Sequence, residues 1–234
     1  MRSLIGSHRG YGDDNQENTI PAFKAAIDVG VDLIEFDTHL TMDGEWIINH
    51  DTAYTDPDLL IKDLTLDEMY QLADEHDLRL DLLHEVLESI TEIKLNIECK
   101  SENKEDGAKL ARYLSSLDID DFYERINVSS FHRPALRGYR EVDPKMKISY
   151  LGYLLPFFRW QSFHKEIGLY SINPYIRFIS ARKARAAHSR GIQLHTWTAN
   201  SEEEIMNCFK SNVDVLITDH PKRALKLRDD YYTD

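Results

Sequence analysis

The stretch Leu33-Ile34-Glu35-Phe36-Asp37 is a short apolar run that ends on two acids. Side chains two apart on a strand share a face, so Glu35 and Asp37 point together while Phe36 turns away toward a helix. The same form recurs elsewhere. Leu4–Ser7 runs into His8-Arg9-Gly10, Trp46–Asn49 into His50-Asp51, and Lys94–Glu98 into Cys99-Lys100. Further strand-like runs are Ile126–Ser130, Lys147–Leu151, Leu169–Ile172, Gln193–Thr198 and Val213–Thr218, with helical segments between nearly all of them. Apart from the short run Trp46–Asn49, eight strands alternating with helices predict an α/β fold, a (β/α)8 TIM barrel, with a doubly wound open sheet as the alternative.

The chain is long enough, at 234 residues, for one such barrel or for two small domains. No low-complexity linker or internal repeat divides it, which favours one domain over residues 1–234. Apolar content of 42% and charged content of 29% are those of a soluble globular protein. A net charge of −13 argues against a nucleic-acid partner, whose footprint would be a basic stripe. Any phosphate-bearing substrate must then be met by local cations or a metal. Cys99 and Cys208 lack metal-type spacing and read as free thiols in a reducing compartment. No signal peptide or stretch of about 18 apolar residues is present. The expected location is cytoplasmic, without stable membrane insertion, and homo-oligomerisation stays open.

Several helix boundaries are legible. Thr19 is placed to cap a helix starting at Ile20-Pro21 and ending at Gly30. Thr65 with Glu68 and Ser201 with Glu204 match the capping-box spacing. Met42-Asp43-Gly44-Glu45 is a turn signal, so Trp46–Asn49 returns as a hairpin after the second strand. That hairpin and the acidic, partly helical stretch behind it form an insertion over about residues 38–92.

Barrel chemistry collects at the carboxyl ends of strands, where all of these polar motifs lie. Glu35, Asp37 and Glu98 form an all-oxygen donor set that favours Mg²⁺, Ca²⁺ or Mn²⁺ over zinc. His8 and His50 supply two acid/base imidazoles, and Asp51 is placed to hold His50 in one tautomer. Arg9 offers a planar fork for phosphate oxygens. Each feature has a plainer reading as well: Glu98 paired with Lys100, Arg9 bridged to Glu17, and histidines as satisfied surface or core residues. Three acids in register with two histidines favour metal-assisted phosphoester chemistry.

His8-Arg9-Gly10, Glu17-Asn18-Thr19, Glu35-Phe36-Asp37, Thr41-Met42-Asp43-Gly44, His50-Asp51 and Glu98-Cys99-Lys100 together resemble the glycerophosphodiester phosphodiesterase family. Ser130-Phe131, Trp197-Thr198-Ala199-Asn200 and Thr218-Asp219-His220-Pro221 extend the resemblance to the last strands. It implies a TIM barrel that hydrolyses glycerophosphodiesters to glycerol 3-phosphate and an alcohol. By matching positions, Glu35, Asp37 and Glu98 would hold one divalent cation, and His8 and His50 would be the acid/base pair. Arg9 and Lys100 would bind phosphate, Trp197 would line the mouth, and Glu17 would orient its neighbours. The chain departs from the family pattern at Gln16, at Leu80-Asp81-Leu82 and in the shortened segment Asp51–Asp56.

Displacement through a cyclic phosphate and direct attack by water both fit these residues. The nearest rival is a lysophospholipase D or sphingomyelinase D-like enzyme, with the apolar run Tyr150–Trp160 serving acyl chains. That run also reads as a strand end leading into a core-facing helix. A non-catalytic phosphodiester-binding barrel and an enolising Mg²⁺ barrel fit less well.

Overall fold

In the computed structural model, which describes residues 2–12 and 15–233, the expected barrel is closed. Its strands are β1 (Leu4–His8), β2 (Leu33–Leu40), β4 (Lys94–Cys99), β5 (Ile126–Ser130), β6 (Lys147–Gly152), β7 (Ser171–Pro174), β8 (Gln193–Thr196) and β9 (Val215–Thr218). All eight pair in parallel, and β1 closes the sheet by pairing with β2 on one side and β9 on the other. The remaining strand, β3 (Trp46–Ile48), runs antiparallel to the end of β2. It forms the expected hairpin.

β7 lies two residues later than its sequence pattern predicts. Gly168 turns out of the preceding helix in the left-handed conformation, and Leu169 is spent on burial before the ladder begins. Asp214, expected inside the last strand, instead accepts from the Leu194 amide at 2.7 Å and sits 2.7 Å from His188.

Helix α1 (Ile20–Val29) ends at a left-handed Gly30, as its sequence predicts. Its start differs from expectation. The Thr19 hydroxyl donates to the Gln16 carbonyl at 2.6 Å and caps nothing. The Ile20 amide instead donates to the buried Asp81 carboxylate, 61 residues away, at 2.7 Å. Both capping boxes, at Thr65 and Ser201, form as read.

Apolar strand residues facing outward pack under the helices, as Phe36 does against Phe23 with ring centroids 5.2 Å apart. Helices α2 (Lys104–Ser116) and α3 (Arg133–Val142) approach closely at Gly107 and Gly138. A Cβ on Gly107 would lie 2.1 Å from the Ala135 carbonyl oxygen, and one on Gly138 2.0 Å from that of Lys104. The insertion has its own small core, in which Ile47, Tyr54, Ile61, Met69 and Leu82 are buried together.

One side of the barrel interior is polar. Asn127 donates to Asn96 at 2.5 Å, Ser149 donates to Asn127 at 2.8 Å, and Ser171 donates to Ser149 at 2.6 Å. Such a belt links buried polar groups across neighbouring strands, although Asn96 Nδ2 is buried without a hydrogen-bond partner. Leu33, Val215 and Ile217 fill the opposite side. Cys99 and Cys208 are buried free thiols. No helix among the described residues is long and apolar enough to cross a membrane.

Candidate active site

Strand register assembles the site. Across β1 and β2, His8 stands opposite Glu35, and across β2 and β4, Asp37 stands opposite Glu98. One ligand atom from each of Glu35, Asp37 and Glu98 lies within 4.8 Å of the others, and all three side chains are buried. Buried like charges this close cannot all stay ionised unaided. Burial first, then Asp37, pushes Glu35 up to about 8 and Glu98 up to about 7. Asp37 is also pushed up by burial, but Lys100, Asn18 and Arg9 outweigh this and hold it below the ordinary carboxylate range.

Lys100 Nζ sits 2.8 Å from Asp37 and 2.7 Å from Glu98, so the plain Glu98–Lys100 ion pair is present within the cluster. Arg9 bridges Asp37 at 3.3 Å and Glu17 at 3.1 Å, and it takes a positive φ of 56° to do so. Even with these cations, Glu35 Oε2 is buried and has no hydrogen-bond partner. An all-oxygen set with an orphaned carboxylate oxygen fits a hard divalent cation.

The two histidines are held alike. His8 Nδ1 lies 2.6 Å from Asp219, and His50 Nδ1 lies 2.7 Å from Asp51. Both imidazoles line the same pocket as the three acids, with Nε2 the nitrogen not engaged by a carboxylate hydrogen bond. Their electrostatics differ. Burial opposes charge on His8, but the Asp219 hydrogen bond and the Glu35 carboxylate outweigh it, so its pKa is raised. Burial, then the Lys100 cation, lowers that of His50.

Four positioning residues were not singled out as such in the sequence. Asp219 holds His8 and is itself held by Asn200, which donates to it at 2.6 Å. Asn18, at a positive φ of 58°, donates to Asp37 at 3.0 Å and accepts from its amide at 3.2 Å. His39 is buried, which lowers its pKa to about 4; neutral, it donates Nε2–H to the His50 carbonyl at 3.2 Å. Asp219, Asn200 and Asn18 lie inside the quoted motifs, but no spacing within the chain reveals whom they touch.

The pocket encloses about 470 Å³ including its mouth. Phe131, Tyr153 and Trp197 form an aromatic wall there, with ring centroids 5.3–5.8 Å apart. Every residue expected to bind metal, phosphate or protons therefore lines one cavity, and Trp197 lies at its edge. Glu17 and Asp51 lie just outside, in a neighbouring depression that shares Arg9 and His50.

The model of the Glycerophosphoryl diester phosphodiesterase family matches residues 8–223. The chain belongs to this family. A glycerophosphodiester phosphodiesterase of Caldanaerobacter subterraneus subsp. tengcongensis is 31% identical over 97% of this chain and 98% of its own length. A human lysophospholipase D is 28% identical over 95% of this chain and 84% of its own. Among solved structures, an Oleispira antarctica phosphodiesterase in complex with the product sn-glycerol-3-phosphate superposes with a TM-score of 0.84. It is 23% identical, covering 97% of this chain and 96% of that one. The family's barrel and the chain's closed eight-strand sheet agree.

Proposed function

We propose that this protein hydrolyses glycerophosphodiesters, such as glycerophosphocholine and glycerophosphoethanolamine, to sn-glycerol 3-phosphate and an alcohol. The pair of imidazoles carries this reading. His8 and His50 each have Nδ1 engaged by a carboxylate, at 2.6 and 2.7 Å, which leaves neither Nε2 in a carboxylate hydrogen bond, His8 Nε2 lying 4.0 Å from Glu35 Oε2, so that both can exchange protons in one pocket. The product found in the Oleispira antarctica relative supports the same substrate class.

Glu35, Asp37 and Glu98 would hold one divalent cation, Mg²⁺ or Ca²⁺, with Mn²⁺ as a further candidate. When bound, it neutralises charge on the phosphodiester and polarises its oxygens. Arg9 and Lys100 bind the remaining phosphate oxygens. Trp197 packs against the glycerol or the leaving group. Glu17 orients Arg9, Asp51 orients His50, and Asp219 orients His8.

His50, kept neutral near pH 7 by its lowered pKa, takes the proton from the glycerol hydroxyl next to the phosphoester. That oxygen bonds to phosphorus as the bond to the head-group oxygen breaks. His8, whose raised pKa favours the protonated form, gives its proton to the departing alkoxide. Water then opens the cyclic phosphate with the two roles reversed.

A panel of glycerophosphodiesters assayed with Mg²⁺, Ca²⁺, Mn²⁺ or chelator tests reaction and cation together. His8→Ala and His50→Ala should each lower turnover by about 10²–10⁴ in folded protein. Near wild-type turnover in both would refute the acid/base assignment. A diester whose neighbouring hydroxyl is methylated should be inert; its cleavage would favour direct attack by water.

A further inference from the structure

Charge is distributed unevenly along this acidic chain. Residues 144–200 hold nine lysines and arginines and a single acid, Glu166, a formal +8 within a chain of −13. The stretch comprises β6, α4 (Phe157–Ile167), β7, α5 (Ala181–His188) and β8, one side of the barrel. Exposed apolar side chains gather there too. Of eight large exposed apolar side chains among the described residues, Tyr153, Leu154, Phe158 and Phe178 belong to it. All four follow the carboxyl ends of β6 or β7, at the end of the barrel that carries the pocket.

Lys183 joins the two connections into one platform, its ammonium donating to the carbonyls of Leu154 at 3.1 Å and Phe178 at 2.6 Å. Tyr153 links platform to pocket, 64% exposed yet part of the aromatic wall. Arg159, Arg177 and Arg182 are exposed at this same end. Arg159 and Arg182 make no ion pair among the described residues, and Arg177 acts on Glu204 only from beyond ion-pair distance. Isolated exposed apolar residues are ordinary; four beside unpaired arginines at the mouth of a pocket are not.

We infer that this rim docks on an anionic lipid bilayer, which sets the mouth of the pocket against the lipid. The docking does not rest on the phosphodiesterase reading above; only the hydrolysis arm of its test does. Apolar tips and basic side chains are separate signals, and stable association with a bilayer needs more than one. Each arginine brought to an anionic surface strengthens association about fivefold. The strongly acidic remainder of the molecule is repelled, so the β6–β8 side turns toward the lipid, and the apolar tips bring its pocket end into contact. A second copy docking by the same face would set two positive sectors against each other.

Co-sedimentation of the full chain with vesicles tests this. The protein should bind vesicles of mixed phosphatidylcholine and phosphatidylglycerol, ignore phosphatidylcholine alone, and be released by salt. Leu154→Glu with Phe158→Glu, and separately Arg159→Glu with Arg182→Glu, should each lower binding about tenfold or more. Both should cut hydrolysis of lysophosphatidylcholine embedded in the anionic vesicles to the same degree. Turnover of soluble glycerophosphocholine should stay within about twofold of wild type, because none of the four lines the pocket. Absence of binding, equal binding to neutral vesicles, or unchanged binding by the variants would overturn the docking. So would a dimer in sedimentation that Leu154→Glu with Phe158→Glu dissolves. Vesicle binding without cleavage of any soluble glycerophosphodiester would instead strike the phosphodiesterase reading and leave the docking supported.

Discussion

Replacing Asp219 by asparagine isolates the group that holds His8. The two lie 2.6 Å apart, Asp219 being anchored in turn by Asn200, so the variant keeps size and neighbours while losing the charge. A hydrogen bond to a charged partner contributes about 1.5–3 kcal/mol. The Asp219 side chain is 39% exposed, so solvent screening favours the lower part of that range, about 1.5–2 kcal/mol. Spent in the transition state, this lowers kcat/KM about ten- to thirtyfold. A second signature separates positioning from general damage. Asp219 raises the pKa of His8 against the effect of burial. If His8 is the acid of the first step, its activity is lost on the alkaline side, and that limb of the pH profile should move to lower pH in Asp219→Asn. The assay is release of choline from glycerophosphocholine at saturating cation across pH. The same substitution made in His8→Ala should add almost nothing, since coupled residues are not additive. A variant with kcat/KM within about threefold of wild type and an unmoved alkaline limb would refute the role given to Asp219.

Cation binding should be visible without catalysis. At about one hundred times its Kd, a cation that binds only the folded state adds about 2.7 kcal/mol, or roughly 5–10 °C in Tm for a chain of this size. Glu35→Gln should abolish that rise, and a flat Tm with all three cations would remove the metal assignment. In chelated protein, Glu35 and Glu98 titrate near 8 and 7 when folded but at ordinary carboxylate values near 4.5 when unfolded. Between about pH 4.5 and 8 the native state thus binds more protons, so stability falls as pH rises. The cation should reverse this trend, which a Tm series across pH measures. Gly107→Ala and Gly138→Ala should each cost about 3 kcal/mol, because the new methyl meets backbone oxygen at 2.1 and 2.0 Å. A thermal melt unchanged in either would contradict the close α2–α3 approach. Asp81→Ala should cost about 1–2 kcal/mol through the lost cap of α1, and Thr19→Ala less, as urea titration would show.

Two of the three departures from the family pattern, at Gln16 and at Leu80-Asp81-Leu82, meet in space. The Gln16 side chain donates to the Arg79 carbonyl at 2.7 Å and accepts from its amide at 2.8 Å, while Asp81 caps α1. A side-chain clamp thus fixes the loop that carries Glu17 and Asn18 against the insertion. The apolar run Tyr150–Trp160 divides in a similar way: Leu155 and Trp160 enter the core, and Tyr153 and Leu154 stay at the surface. Hydrophobicity alone cannot make that division, since it depends on which helix or strand lies overhead.

By itself the sequence determined the alternation of strand and helix, the shared face of Glu35 and Asp37, the hairpin at Trp46, and the placing of His8, His50, Glu98 and Lys100 at strand ends. These follow from local periodicity, because a pleated strand alternates its side chains whatever surrounds it. Tertiary structure decided the partners. His8 finds Asp219 across 211 residues because β1 closes on β9, and Asp37 finds Glu98 because β2 and β4 pair in that register. Burial, which pushes Glu35 up to about 8, is likewise a property of the closed barrel. Closing the sheet turns a set of strand-end residues into one low-dielectric site, where charge, proton and cation are coupled.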